Sequence, residues 1–258
     1  MNELLYYDLK DASGVAPGLA MQISRELGRR IVAGHYKEDA LIEDEGKLSQ
    51  RFGVSKSVIR EGVKLLVSKG LLEVKRGSGT RVRRRAIWAL LDDDVLAWHL
   101  SVDTKPMFLR QLLDMRQMME PKAAGWAAQH GTDAQHAEIE AAQIQMEEES
   151  HSIEDFVVAD ALFHRAILRA ANNEILLSME GVIFSALLSS IRLTNRDPRE
   201  NASSIPFHRE VLDAIKARDH KQAQKMMNGH LYDTSQRLKS VLGETAGGDI
   251  KNEKLQMN

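Results

Sequence analysis

The sequence predicts a mainly α protein in two parts: a small N-terminal unit of helices closed by one β-hairpin, and a C-terminal all-α helical bundle. Three observations carry this expectation. Apolar residues recur at helical spacing through most of the chain, and the period drops to two only around residues 72–82. No stretch beyond Trp88 alternates like a strand. Positive charge is gathered in the first part: between Lys47 and Arg85 stand twelve Lys or Arg against two acids, Glu61 and Glu73, in a chain of formal net charge −2. Such segregation points to one unit facing a polyanion and another that does not; a charged surface that is merely solvated is the alternative.

The elements follow in order. Residues 1–17 read as a flexible extension without the basic-then-apolar pattern of a signal peptide. No apolar run reaches membrane-spanning length, and cysteine is absent, so a soluble, cytoplasmic protein without disulfides or thiolate metal sites is expected. Leu19, Ile23, Leu27 and Ile31 recur every four positions and predict a helix over 19–33, with Gly34 as its C-cap. Two shorter helices, 45–52 and 56–69, are joined by Gly53-Val54-Ser55, where Gly53 permits the tight turn and Ser55 can cap the second helix. Leu72 and Val74, then Thr80 and Val82, alternate with polar or charged residues around Gly77-Ser78-Gly79, which predicts a hairpin with basic flanks. Helix, helix, turn, helix, hairpin is the order of a winged helix-turn-helix, placed at 18–85.

A linker is expected over 86–105. Its three aspartates, Asp92, Asp93 and Asp94, suit the positive end of a helix dipole better than a metal, because consecutive helical residues do not converge. Helices over 106–130, 133–148, 153–171, 175–193, 206–217 and 220–241 make up a second domain at 106–243, and 244–258 reads as a disordered tail.

A helix-turn-helix presents the N-terminal residues of its second helix to the major groove. Here those are Ser55, Lys56 and Ser57, with Arg60 one turn later; the hydroxyls can reach phosphates or bases, and Lys or Arg can donate to guanine O6 and N7. Arg76 and Gly77 stand at the hairpin tip, where glycine allows close approach to a backbone or minor groove. In the helical part, three of the nine histidines interrupt apolar stripes: His164, His208 and His230. Asp160 precedes His164 by one turn and shares its face. A buried, unpaired carboxylate is expensive, and a divalent cation held by Asp160 and three imidazoles would neutralise it. Without cysteine, zinc, nickel, manganese or iron bound through nitrogen and oxygen is the available chemistry. The alternative is that each histidine is a hydrogen-bonded core residue.

The run LSQRFGVSKSVIREGVKLLVSKGLLEVKRGSGTRV, residues 48–82, resembles the DNA-binding domain of the GntR family of bacterial regulators. The resemblance implies that Lys56, Arg60, Arg76 and Gly77 contact operator DNA. Two positions depart from the family pattern: Lys56 replaces the usual arginine, and Gly46 stands where an arginine often opens the second helix. Residues 106–238 resemble the FCD ligand-binding domain of the FadR-like branch, through Arg116, Glu120 and Pro121, the Asp160/His164 pair, the segment beginning Phe207-His208, and Gly229-His230. By that resemblance Asp160, His164, His208 and His230 are metal ligands, with zinc foremost, and open coordination positions hold a carboxylate effector.

Arg116 interrupts the stripe of Leu109, Leu112, Leu113 and Ala123, so it is either an inward clamp for the effector carboxylate or an i,i+4 partner of Glu120. Arg192 is a second candidate for the pocket, or a surface residue. Residues 88–98 resemble the linker of members that respond to sugar acids such as galactonate or gluconate. The function implied is a repressor of sugar-acid catabolism genes, binding operator DNA as a homodimer and released by a metal-held carboxylate. One alternative makes the metal itself the signal. Another is a metal-dependent hydrolase or lyase, against which stand the absence of an HExxH-type pairing and of a nucleophile elbow.

Overall fold

The structure, a computed structural model of the 258-residue chain, describes residues 6–7, 18–100, 102, 106–194 and 198–241, with the side chains of 190–202 and 241 left aside. The expected tail at 244–258, most of the extension at 1–17 and the Arg192 side chain fall outside the described residues. The elements in chain order are α1 (Leu19–Val32), α2 (Glu45–Phe52), α3 (Lys56–Ser68), β1 (Leu72–Lys75), β2 (Gly79–Val82), a 3-10 turn (Arg85–Ile87), α4 (Asp93–Leu100), α5 (Pro106–His130), α6 (Asp133–Glu148), α7 (Ile153–Ala170), α8 (Glu174–Leu177), α9 (Glu180–Thr194), α10 (Pro198–Lys216) and α11 (His220–Val241). The mainly α class with one small hairpin is the observed one.

The chain forms two compact units, Met1–Leu112 with Asn173–Ser189, and Leu113–Asn172 with Ser190–Asn258. In the first, α1 packs on α3 and α4, and α2 packs on α3. Leu27, Ile59, Leu66, Leu71 and Leu72, each almost wholly buried, tie α1 and α3 to the hairpin. β1 and β2 pair antiparallel with Leu72 opposite Val82 and Lys75 opposite Gly79, and Leu41 bridges to Arg81 along the outer edge of β2.

The stretch expected as linker contributes to this core. Val95 and Trp98 of α4 are fully buried within it. α1 comes so close to the Trp98 indole that a Cβ on Gly28 would lie 2.3 Å from its ring. The three aspartates open α4, as the dipole argument requires. Asp92 Oδ1 accepts from the backbone N–H groups of Asp94 (3.0 Å) and Val95 (3.2 Å), and Lys69, at the end of α3, bridges Asp92 (2.8 Å) and Asp94 (2.7 Å). Tyr6 and Tyr7, inside the expected extension, donate their hydroxyls to Asp93 (2.7 Å) and Asp94 (2.6 Å), and Tyr6 is fully buried.

In the second unit α6 packs on α7, and α10 packs on α6, α7 and α11. A reciprocal capping box starts α6, with Thr132 accepting from Gln135 N–H and the Gln135 side chain reaching back. Two helices differ from the expectation, the first of them lying mostly in the first unit. The one predicted over 175–193 is broken into α8 and α9, with Asn173 capping the first by accepting from Leu176 N–H at 2.9 Å. The one predicted to start at Pro206 starts at Pro198, leaving Pro206 inside α10. Proline's fixed φ is helical, so inside a helix it forfeits one backbone hydrogen bond and strains one turn without necessarily ending the element; Pro121 sits inside α5 in the same way.

Because Gly28 faces the Trp98 ring with no room for a methyl group, Gly28→Ala is expected to destabilise the first unit by about 1–3 kcal/mol through overpacking. Urea unfolding followed by tryptophan fluorescence checks this.

Candidate functional site

The first unit presents a turn between α2 and α3 stiffened from both sides. Asp44 caps α2 by accepting from Lys47 N–H at 3.0 Å, and Gly53 closes it in the left-handed conformation at φ 65°. Ser55 caps α3 by accepting from Val58 N–H, and its hydroxyl lies 2.9 Å from that of Ser57. Capping commits part of the hydrogen-bonding capacity of Ser55, while the exposed hydroxyl retains more. Lys56, Ser57 and Arg60 are exposed on the first two turns of α3. The Arg60 guanidinium is forked onto Glu45, with Nε 2.9–3.0 Å from both carboxylate oxygens. Arg76 and Gly77 form the hairpin tip, exposed, with Gly77 at φ 77° as the tight turn needs. The six residues singled out thus lie on two exposed features of one unit, the start of α3 and the hairpin tip.

The second unit brings its singled-out residues together. Nitrogens of His164 (α7), His208 (α10) and His230 (α11) lie within 4.8 Å of one another, all buried. Asp160, one turn before His164, places Oδ1 at 3.1 Å from Nε2 of both His164 and His208. The Nδ1–H of His208 is turned away towards the Ser204 carbonyl at 2.8 Å, which leaves Nε2 facing the cluster. Among the described residues, Nδ1 of His230 is buried with no hydrogen-bond partner. Three convergent imidazoles, a buried carboxylate and an orphaned ring nitrogen are a donor set that can hold a divalent cation.

Arg116 points inward and is paired with Glu120 on its own helix. It is 1% exposed. Its Nε donates to Glu120 Oε1 at 2.5 Å, while Nη2 lies 3.4 Å from Glu120 Oε2 and 3.2 Å from His164 Nε2. The second Glu120 oxygen lies 2.6 Å from His164 Nδ1, a close charge contact off the line of a well-directed hydrogen bond. Glu120 was legible in the sequence as the i,i+4 partner of Arg116, but its contact with His164 on another helix was not. The Ser204 carbonyl left no sequence signal at all.

The electrostatics follow from this packing. Burial alone would raise the Asp160 carboxyl, but hydrogen bonds from His164 and His208 outweigh it and hold Asp160 well below the usual carboxylate range. Burial likewise opposes ionisation of Glu120, and the charges of Arg116 and His164 overcome it, bringing Glu120 down to about 2. His230 is pushed well down by burial and by His208 and His164, which favours the neutral imidazole that a metal requires.

Comparison with known proteins agrees with both halves of this geometry. Residues 19–82 match the family described as bacterial regulatory proteins, gntR family, and residues 111–233 match the FCD domain. The chain is 31% identical over 217 residues to the galactonate operon transcriptional repressor of Escherichia coli K12, covering 83% of this chain and 94% of that protein. It is 26% identical over 228 residues to the Glc operon transcriptional activator of the same strain, covering 85% and 88%. A solved structure of Lar, which controls expression of the Listeria monocytogenes agr system, shares the fold at TM-score 0.62 and 17% identity, covering 88% of this chain and 99% of that one.

Removing one member of a buried ion pair strands the other. Arg116→Met is therefore expected to destabilise the protein by roughly 3–5 kcal/mol, and Arg116→Met/Glu120→Gln to recover most of that loss. Denaturant unfolding of both variants checks the non-additivity.

Proposed function

Because the chain belongs to the GntR family of bacterial regulatory proteins and carries an FCD domain, we propose that it represses sugar-acid catabolism genes and leaves its operator when a small hydroxy-carboxylate binds beside a divalent metal. The protein is a transcription regulator and not an enzyme. The observation that carries the effector reading is the buried convergence of His164, His208 and His230 on one point, with Asp160 and Arg116 at its edge. Metal binding by Asp160 and the three histidines would neutralise the Asp160 charge and supply a Lewis-acidic cation for an anionic ligand.

Arg116 then gives the chemical class. Glu120 takes its Nε, and the Nη2 edge beside His164 would donate to a carboxylate oxygen once a metal claims the His164 nitrogen, in a dry site where charge-assisted bonds are strong. Galactonate is the first candidate, given the name of the 31% identical relative. Release requires only that the effector favour one arrangement of the DNA-binding units over the other, since a ligand shifts an equilibrium by its differential affinity and by nothing else. The DNA-binding units would act as a homodimer on a pseudo-palindrome, because operator symmetry mirrors protein symmetry. Lys56, Ser57, Arg60 and Arg76 would contact DNA in each half-site, with Gly77 allowing the tip its close approach and Ser55 setting the start of α3.

The test uses an operator selected from random DNA by the full-length, zinc-loaded protein and read by fluorescence anisotropy. If the dimer neutralises six or more phosphates, raising salt from 50 to 200 mM weakens binding roughly a thousandfold or more. Galactonate should release the DNA from the zinc-loaded protein, and neither the chelated protein nor His208→Ala should respond to it. A flat salt response contradicts the DNA reading. Release that survives chelation contradicts the metal-held effector.

A further inference from the structure

Tyr6 and Tyr7 precede α1 in the chain, yet they lie where several elements of the first unit meet. Tyr6 is fully buried, and its hydroxyl donates to Asp93 at the start of α4 at 2.7 Å. Its ring meets Phe184 of α9 edge-on, with the centroids 6.4 Å apart. The first turn of α9 leaves room for the hydroxyl because residue 181 is glycine: a Cβ there would collide with the Tyr6 oxygen and lie 2.7 Å from Asp93 Oδ1. Burial and the Asp93 charge push the Tyr6 phenol far up, so it remains a donor. Tyr7 donates to Asp94 at 2.6 Å, and the Arg25 guanidinium of α1 sits 4.5 Å from the centre of its ring. Asp94 also receives the ammonium of Lys69, the C-cap of α3, at 2.7 Å.

The elements so joined have different work. α3 is the second helix of the helix-turn-helix, and α4 lies between the two family matches. α9 lies within the FCD match, and its last residues, from Ser190, belong to the unit that holds the histidine cluster. We propose that Tyr6 and Tyr7 are positioning residues that strap α9 to α4, and through Asp94 and Lys69 to α3, so that a shift of α9 on effector binding reaches the helix that meets DNA. This rests on the effector reading given above for its purpose, though the strap itself can be observed without any effector. A buried hydroxyl bonded to a carboxylate is a strong and directional tie. Phenylalanine keeps the ring and loses the tie. Gly181→Ala cuts the strap from the other side: alanine favours the helix, so α9 itself is not weakened, but the new methyl group takes the place of the Tyr6 hydroxyl. Tyrosines that merely filled the core would give variants of lower stability whose release by effector is unchanged.

The experiment compares the full-length, zinc-loaded wild type with Tyr6→Phe/Tyr7→Phe and with Gly181→Ala, after thermal unfolding has established that each is folded. Hydrogen exchange read by mass spectrometry, without effector, is expected to be about tenfold faster at the starts of both α4 and α9 in either variant, and unchanged in α6 and α10. Operator binding is then measured with and without saturating galactonate. A wild-type release factor within about 5–150-fold is expected to fall at least about threefold in both variants, while the DNA-free proteins keep their affinity for galactonate. Folded variants with wild-type exchange in α4 and α9 overturn the strap. Faster exchange with an undiminished release factor overturns its part in communication. If galactonate releases DNA from none of the three proteins, the effector reading fails, and exchange in α4 and α9 still decides whether the tyrosines join those helices.

Discussion

Burying the Asp160 carboxylate among helices takes a charge out of water, and even after relaxation such burial leaves a penalty of several kcal/mol per ion. The second unit is arranged around meeting that penalty. His164, one turn along the same helix, and His208, on α10, each bring a ring nitrogen to 3.1 Å from Asp160 Oδ1. A second buried carboxylate, Glu120, is matched by Arg116 on its own helix and by His164 across the bundle. The cluster therefore draws on α5, α7, α10 and α11, and no two neighbouring helices complete it. A site assembled from four helices exists only when the bundle is packed, and whatever occupies it acts on the packing of all four.

The first unit meets a similar constraint at a helix junction. Lys69 ends α3, the helix whose start is proposed to contact DNA, and its ammonium is largely buried between Asp92 and Asp94 at the start of α4. Burial would lower the lysine, but its two aspartate partners raise it above its usual range, so it stays charged. Together with Trp98 against Gly28, this ion pair fixes α4 to α1 and α3. A stretch that reads as a linker is thereby part of the unit it follows. The orientation of α3 and the start of α4 cannot change independently without breaking a partly buried ion pair.

Much of this was legible because it is local. The Asp160/His164 spacing places both groups on one helix face. The four-residue recurrence from Leu19 to Ile31 finds α1, and the Gly53-Val54-Ser55 signal finds the turn between α2 and α3. What escaped was set by long-range packing. Trp88 to Trp98 carries no periodicity that distinguishes a linker from a core helix, and Trp98 takes its place from long-range packing that includes the facing Gly28 on α1. Pro206 looks like a helix start because proline favours the first turn, yet its backbone angle is tolerated within α10. The break between α8 and α9 at Ser178 and Met179 carries no glycine or proline of its own, and Gly181, the nearest glycine, lies inside α9. Glu120 was visible as a partner of Arg116, but α5 and α7 had to come together before it touched His164.

The account stands on an energetic link between the buried cluster and the DNA-binding unit, and linkage is reciprocal. If galactonate weakens operator binding by some factor, the operator must weaken galactonate binding by the same factor. Calorimetric titration of galactonate into the zinc-loaded protein, free and then saturated with operator, measures this directly. The account predicts weaker binding to the DNA-bound protein by the factor seen in the release experiment. Equal affinity in the two titrations would contradict it, leaving two sites on one chain with no communication between them.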